Sequence, residues 1–322
     1  MIIARPTKGI DNGPLEVPSK ERAILNAKRK RQVPLHLMVI PGVIMMFIFH
    51  YVPMFGIVMA FQKFVPARGF LKSRWVGWDN FQYVFNLPNF GPVIRNTLVI
   101  AVLKIIANLV VPIVFALLLN EVRREKFKKT IQTIIYFPHF LSWVILGGIL
   151  IDVLSPSSGI LNKAIVALGG KAVFFLGDQN WFPFTLVLTD VWKNFGYNTI
   201  VYLAALTGID MALYEAAEVD GASRWKQTIH VTLPGILPIV ALMVVLSLGN
   251  VLNAGFEQVF NLYSPSVYST GDIIDTLVYR IGLVDAQFSV AAAIGLFKSV
   301  IALFLIVLSN RLATKYAGYR VF

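Results

Sequence analysis

Six stretches of the chain are apolar over the length a helix needs to cross a bilayer. The first begins at Leu35 and runs to about Gln62, and the others lie at about 93–120, 131–154, 182–206, 232–254 and 288–310. A helix in hydrocarbon satisfies its own backbone hydrogen bonds, so such stretches predict spanning helices that pack through side-chain shape. Pro41 and Pro53 predict kinks within the first. Residues 1–33 form a polar arm ending in Lys28-Arg29-Lys30-Arg31. The arm is not expected to be a cleavable signal, because the apolar run after it is too long and has no small-residue cleavage site near its end. The expected fold is an all-α polytopic membrane protein with six transmembrane helices, the even number placing both termini on one side.

The polar insert between the fourth and fifth stretches, Gly208 to Pro238, breaks this pattern most sharply. Asp210 is placed to cap a helix over Met211 to Val219, a run of good helix formers with Glu215 and Glu218 near one face. Gly221 predicts a turn with positive φ, after which a second short segment, Ala222 to His230, leaves at a new angle. Thr232 and Pro234 are expected to open the next helix, where the missing proline N–H is harmless.

Composition agrees with a membrane protein: 57% of residues are apolar and 14% charged, and the mean hydropathy is +0.69. There is no cysteine, which excludes disulfides and thiolate metal sites. The net charge of +12 has two readings, nucleic-acid binding or membrane topology, and its distribution favours topology. Segments 1–33, 121–130, 207–231 and 310–322 hold 18 Lys and Arg, whereas 63–92, 155–181 and 255–287 hold 7. The first set is therefore predicted to be cytoplasmic, the Glu215 insert with it. Loop 63–92 departs from this trend with Lys63, Arg68, Lys72 and Arg74, and its Trp75, Trp78, Phe81 and Tyr83 read as an interfacial belt.

Polar residues inside apolar stretches are costly and usually face protein or a water-filled route. In the fourth stretch Asp190, Asn194, Tyr197 and Asn198 recur at one-face spacing beside Trp192 and Lys193. Asn250, Asn253 and Glu257 recur likewise at the outer end of the fifth, and Lys104 and Asn108 are one turn apart in the second. Amides, carboxylates and aromatic faces are what a glycan path requires. Helix-to-helix hydrogen bonding is the competing structural explanation, and snorkelling or pairing with a carboxylate is the competing one for Lys104. His36, His50, His139 and His230 are scattered, so no metal or catalytic residue is nominated. The single Gly-Lys pair, Gly170-Lys171, is followed by Ala172 and has Ile165 where a phosphate loop needs glycine.

The insert reads Glu215-Ala216-Ala217, three residues, Gly221, nine residues, Val231-x-Leu233-Pro234. This resembles the EAA loop of ATP-binding-cassette importer permeases of the MetI-like superfamily, with Val for the more usual Ile. The runs Phe137 to Val144, Tyr202 to Leu206 and Gly255 to Gln258 are similar to the oligosaccharide-permease subfamily named for LplB, and the likeness covers residues from about 35 to the C-terminus. The resemblance implies a permease domain over 34–322 in the bacterial cytoplasmic membrane, with an EAA loop at 207–234 acting as a cytoplasmic coupling helix. Tyr214, Glu215, Ala216, Ala217, Asp220, Gly221 and Ala222 would then meet an ATPase subunit. It further implies a second homologous permease, two ATPase subunits that carry the ATP and Mg, an extracytoplasmic solute-binding protein and an oligosaccharide cargo. No cofactor is expected on this chain itself, and no nucleic-acid partner. The cations Lys63, Arg68, Lys72, Arg74, Lys104 and Lys193 lead to the further expectation that the cargo is acidic and contains uronates. Two other classes compete. A secondary transporter would show inverted repeats, which are not found. An intramembrane glycan-processing enzyme would draw on the carboxylates Glu257, Asp272, Asp275 and Asp285 of loop 255–287.

Overall fold

The structure is a computed structural model that describes residues 19–249 and 251–316. It is mostly helical, and the chain divides into two units, Met1–Gly56 and Ile57–Phe322. In the first, helix α1 spans Ser19–Met46 and carries Pro34 and Pro41 in its interior. The helix therefore starts well before Leu35, since the lysine- and arginine-rich end of the arm consists of good helix formers, while the segment of spanning character is Gln32–Phe61, close to the expected stretch.

In the second unit the long helices are α2 (Phe90–Asn120), α3 (Glu125–Tyr136), α4 (Trp143–Leu154), α5 (Trp181–Thr207), α6 (Met211–Val219), α7 (Arg224–Gly249), α8 (Phe256–Leu262) and α9 (Phe288–Tyr316). A two-stranded antiparallel ribbon, β1 (Gln62–Lys63) with β2 (Arg74–Trp75), closes the loop after the first span. Helix α2 is the axis of this unit, since its buried residues enter three apolar clusters in succession. Phe90 and Val93 pack with Ile274, Leu277 and Ile294. Ile100 and Ala101 pack with Phe182, Leu186 and Leu146, and Ala116 with Tyr202, Leu206 and Ile236. Phe81 is buried in the first of these clusters, which removes it from the expected interfacial belt; Trp75, Trp78 and Tyr83 are exposed.

Among the described residues four helices are long and apolar enough to cross a membrane, or six if each of two bent pairs counts as one span. The third predicted stretch is one of those pairs. It is broken between α3, with its one-turn extension to Phe140, and α4, and the two arms differ in direction by 103°. Pro138 removes a backbone donor and Ser142 starts α4 afresh by accepting from the Ile145 N–H at 3.3 Å.

Proline also explains two widened turns. At Phe47–Tyr51 and Thr228–Thr232 the helix adopts π geometry, so that Val52 N–H reaches the Phe47 carbonyl and Leu233 N–H the Thr228 carbonyl. Each lies just before a proline, Pro53 and Pro234, whose ring would collide with the carbonyl four residues back. The second of these corrects the expected helix start at Thr232: α7 already begins at Arg224 and absorbs Pro234 by widening.

Candidate functional site

Three polar assemblies stand out, and α5 takes part in two of them. The first surrounds a cavity of about 350 Å³ whose polar lining is Lys104, Asn108, Asp190, Ser247 and Asn253. Lys104 on α2 donates to the Ala254 carbonyl at 2.7 Å and to Gln258 Oε1, and its ammonium lies 3.6 Å from Asp190 Oδ1. Asn108 Nδ2 donates to Asp190 Oδ2 at 2.8 Å, and Asn198 Nδ2 reaches Asn108 Oδ1 at 3.4 Å. Gln258, fully buried, passes its own Nε2 hydrogens to the Leu186 carbonyl at 2.7 Å and Thr189 Oγ1 at 2.8 Å. The network thus ties α2, α5 and the start of α8 around one ion pair, its lysine buried and its aspartate half-buried at the cavity. Gly255 is required at the turn into α8: its φ is +90°, and a Cβ there would stand 2.9 Å from the Lys104 ammonium.

The second assembly sits at the break between α3 and α4. A helix that stops inside a bilayer leaves carbonyl oxygens without partners. Lys193 on α5 answers that need, donating to the carbonyls of Leu141 at 2.5 Å, His139 at 2.8 Å and Pro138 at 3.4 Å, with the Trp143 ring 5.6 Å from its ammonium. Beside it the His139 ring stacks on Tyr197 with centroids 4.1 Å apart, and His139 Nδ1 and Asn194 Oδ1 are hydrogen-bonded at 3.0 Å.

The third is the hairpin after α5. Asp210 caps α6 by accepting from the Ala212 N–H at 2.9 Å. The helix ends in a Schellman motif, in which Ala222 N–H bonds the Ala217 carbonyl at 2.9 Å and Gly221 N–H the Glu218 carbonyl at 3.0 Å. Gly221 takes φ +71° in it, and a Cβ there would meet no atom within 4 Å. Ser223 then caps α7. Tyr214 and Ala217 turn inward, with the Tyr214 hydroxyl 2.9 Å from Thr232 Oγ1. Glu215, Ala216, Glu218 and Asp220 are exposed, as are large apolar side chains: Val219 at 88% and Trp225 at 72%. An apolar surface of this kind on a polar hairpin suits a protein partner.

Of the residues singled out from sequence, Lys104, Asn108, Asp190, Asn198 and Asn253 come together at the cavity, while Asn194, Tyr197 and Lys193 gather at the helix break. Trp192 points outward and Glu257 is exposed in the first turn of α8. Asn250 lies outside the described residues. The expected helical stripe is corrected between Asn253 and Glu257: the chain turns at Gly255, with φ +90°, before α8, so helical spacing does not relate these two positions. Within loop 255–287 two carboxylates are committed to cations, Asp272 to Arg280 at 2.5 Å and Asp275 to Lys298 at 2.5 Å. Sequence reasoning passed over Gln258 and His139. Both were legible only as parts of family-like runs, Gly255 to Gln258 and Phe137 to Val144, because the chemistry of a single glutamine or histidine shows only once its partners are known.

Apolar helices of spanning length, tied together by a polar network beside an open cavity of mixed lining, define a multi-pass membrane-type protein. The chain belongs to the family of binding-protein-dependent transport system inner membrane components, whose family model matches residues 110–317. It is 43% identical over 297 residues to the polygalacturonan/rhamnogalacturonan transport system permease protein YteP of Bacillus subtilis, covering 92% of each chain. It is 42% identical to Protein LplB of the same organism, over 90% of this chain and 91% of that one. Among solved structures it is similar to a chain of a bacterial alginate ABC transporter in complex with alginate pentasaccharide-bound periplasmic protein. That likeness has a TM-score of 0.84 and 38% identity, and covers 92% of this chain and 99% of the other. A second solved transporter, involved in the import of the acidic polysaccharide alginate, matches with a TM-score of 0.83 and 39% identity. The chain is thus a transport permease and not an enzyme.

Proposed function

We propose that this chain is one transmembrane half of an ATP-driven importer that carries an acidic, uronate-containing oligosaccharide across the bacterial cytoplasmic membrane. The observation that carries the reading is its likeness, over nine-tenths of its length, to permeases of importers named for polygalacturonan/rhamnogalacturonan and for alginate, all of which contain uronic acids. In this reading the permease domain is 34–322, preceded by a cytoplasmic arm at 1–33, with six spans and both termini in the cytoplasm. The EAA loop 207–234 is cytoplasmic, and its exposed Glu215, Glu218, Val219 and Trp225 meet an ATPase subunit that binds ATP and Mg. A second, homologous permease, a second ATPase and a solute-binding protein complete the assembly. The cavity at Lys104, Asn108, Asp190 and Asn253 is part of the cargo route, where amides and a carboxylate bond sugar hydroxyls.

One part of the sequence-based motive changes. Lys104 is balanced by Asp190 and the donors of Lys193 are committed to three carbonyls, so neither ammonium has a free N–H to offer a uronate. Selection for acidic cargo then falls to the binding protein, the partner permease or the loop cations Lys63, Arg68, Lys72 and Arg74. The test is ATP hydrolysis by the reconstituted complex, binding protein included. A uronate oligosaccharide is expected to stimulate it well above a neutral glycan of equal length. Equal stimulation removes the acidic cargo, and no stimulation by any oligosaccharide removes the sugar importer.

A further inference from the structure

The connection from α2 to α3 carries five cations within seven residues, Arg123, Arg124, Lys126, Lys128 and Lys129. The nearby carboxylates are already engaged: Glu121 with Arg224 at 2.7 Å and Glu125 with Lys129 at 3.9 Å. The ion pairs among the described residues include none for Arg123, Arg124, Lys126 or Lys128. The helix that follows has two unlike sides. Ile135 packs its backbone against Gly196 of α5, and Ile131 and Tyr136 are half-buried. Phe127, Ile134 and Phe137 are exposed, seven and three residues apart, and so lie along one outer side. Since α2 ends at Asn120 and α3 starts at Glu125, with both belonging to helices or bent pairs of spanning character, residues 121–124 join the ends of two segments long and apolar enough to cross a membrane.

We infer that residues 123–129 are a binding surface for anionic phospholipid headgroups, with Phe127 set among the acyl chains beside them. Arginine forks and lysine ammonium groups without protein partners match phosphate oxygens in charge and geometry. A cluster of four or more cations immediately outside a spanning helix, flanked by an exposed aromatic residue, is the arrangement that attracts anionic lipid. The exposed Arg224–Glu121 bridge places this surface beside the hairpin after α5. The inference depends on the chain spanning a bilayer and not on which cargo it carries or which face is cytoplasmic.

The chain has no cysteine, so Thr130→Cys, exposed one turn beyond Lys126, accepts a single fluorophore on this chain in a transporter assembled with partner subunits freed of cysteine, within nanodiscs. Phosphatidylglycerol or phosphatidylcholine bearing a nitroxide high on the acyl chain serves as quencher at equal fraction. Phosphatidylglycerol is expected to quench severalfold more strongly. That preference should disappear at high salt, where exposed charges are screened, and in the variant Arg123→Gln/Arg124→Gln/Lys126→Gln/Lys128→Gln. The charge-keeping variant Arg123→Lys/Arg124→Lys should retain it, which separates loss of charge from loss of fold. Equal quenching by the two lipids, or a preference that survives neutralisation, overturns the inference. Two further outcomes also overturn it. If inorganic phosphate abolishes the preference at constant ionic strength, the surface selects free phosphate, and if the preference exists only without the ATPase subunits, the surface is a protein interface.

Discussion

Lys104 and Lys193 are both buried cations in helices of spanning length, yet they are held by different chemistry. Lys104 faces a carboxylate, a backbone carbonyl and Gln258, so its charge is neutralised in place. Truncation to methionine should leave Asp190 uncompensated and lower stability by about 3–5 kcal/mol, the usual penalty for breaking a buried pair, and adding Asp190→Asn should recover most of it. Thermal unfolding of the purified chain in detergent reads both effects. Because the pair is neutral overall, Lys104→Gln should reduce uptake of acidic and neutral glycans in the same proportion. A selective loss of the acidic one would make Lys104 a charge-selecting contact within the cavity. Lys193 instead supplies hydrogen bonds to the His139 and Leu141 carbonyls at the helix break, and a longer one to the Pro138 carbonyl, which also accepts from the Leu141 N–H at 3.2 Å. Lys193→Met should destabilise the chain by roughly 2–4 kcal/mol, since each abandoned buried acceptor costs about 1–3 kcal/mol. Hydrogen exchange should localise the opening to residues 136–145, and unchanged protection there would deny Lys193 this role.

At the scale of elements, the hairpin after α5 isolates backbone strain from packing. A Cβ at Gly221 meets nothing, but φ is +71°, so Gly221→Asn should be tolerated and Gly221→Val should cost on the order of 1–2 kcal/mol locally and misaim α6. Membrane insertion should survive in both variants, while coupling of ATP hydrolysis to substrate should fall only in the valine one. Full coupling in Gly221→Val would count against the hairpin as the ATPase contact. Gly196 is the opposite case, because a Cβ there would lie 2.1 Å from the Ile135 carbonyl. Gly196→Ala should therefore force α3 away from α5 and lower thermal stability, as small residues at helix crossings require. These elements also mark what the sequence made legible. The bounds Met211–Val219, the Asp210 cap and the Gly221 turn could be read directly, because capping and positive φ are decided by neighbours in sequence. The 103° break was not foreseen from the sequence: the stretch 131–154 reads as one continuous span, and the cation that makes the break tolerable stands on α5, 52 residues from Leu141. The polar stripe on α5 was half legible. Its spacing placed Asp190, Asn194, Tyr197 and Asn198 near one side, but only tertiary packing divides them between the Lys104 pair and the His139 stack.

At the scale of the whole molecule, one long helix threads three apolar clusters and carries the polar pair between them, while a second, α5, links that pair to the broken helix and runs into the exposed hairpin. This continuity gives a physical route by which events at the hairpin and in the cavity share a rigid element. The central claim is that the cavity at Lys104, Asn108, Asp190 and Asn253 belongs to the path of an oligosaccharide. It is tested most directly at Asn253, which lines the cavity yet is exposed, so that Asn253→Cys places the chain's only thiol there. In proteoliposomes holding the complete transporter, a membrane-impermeant maleimide should label this cysteine in one nucleotide state and much more slowly in the other. Uronate oligosaccharide delivered by the binding protein should slow labelling further. Labelling at one rate in every nucleotide state, with or without the glycan, would contradict the claim and leave the network as a structural tie between helices.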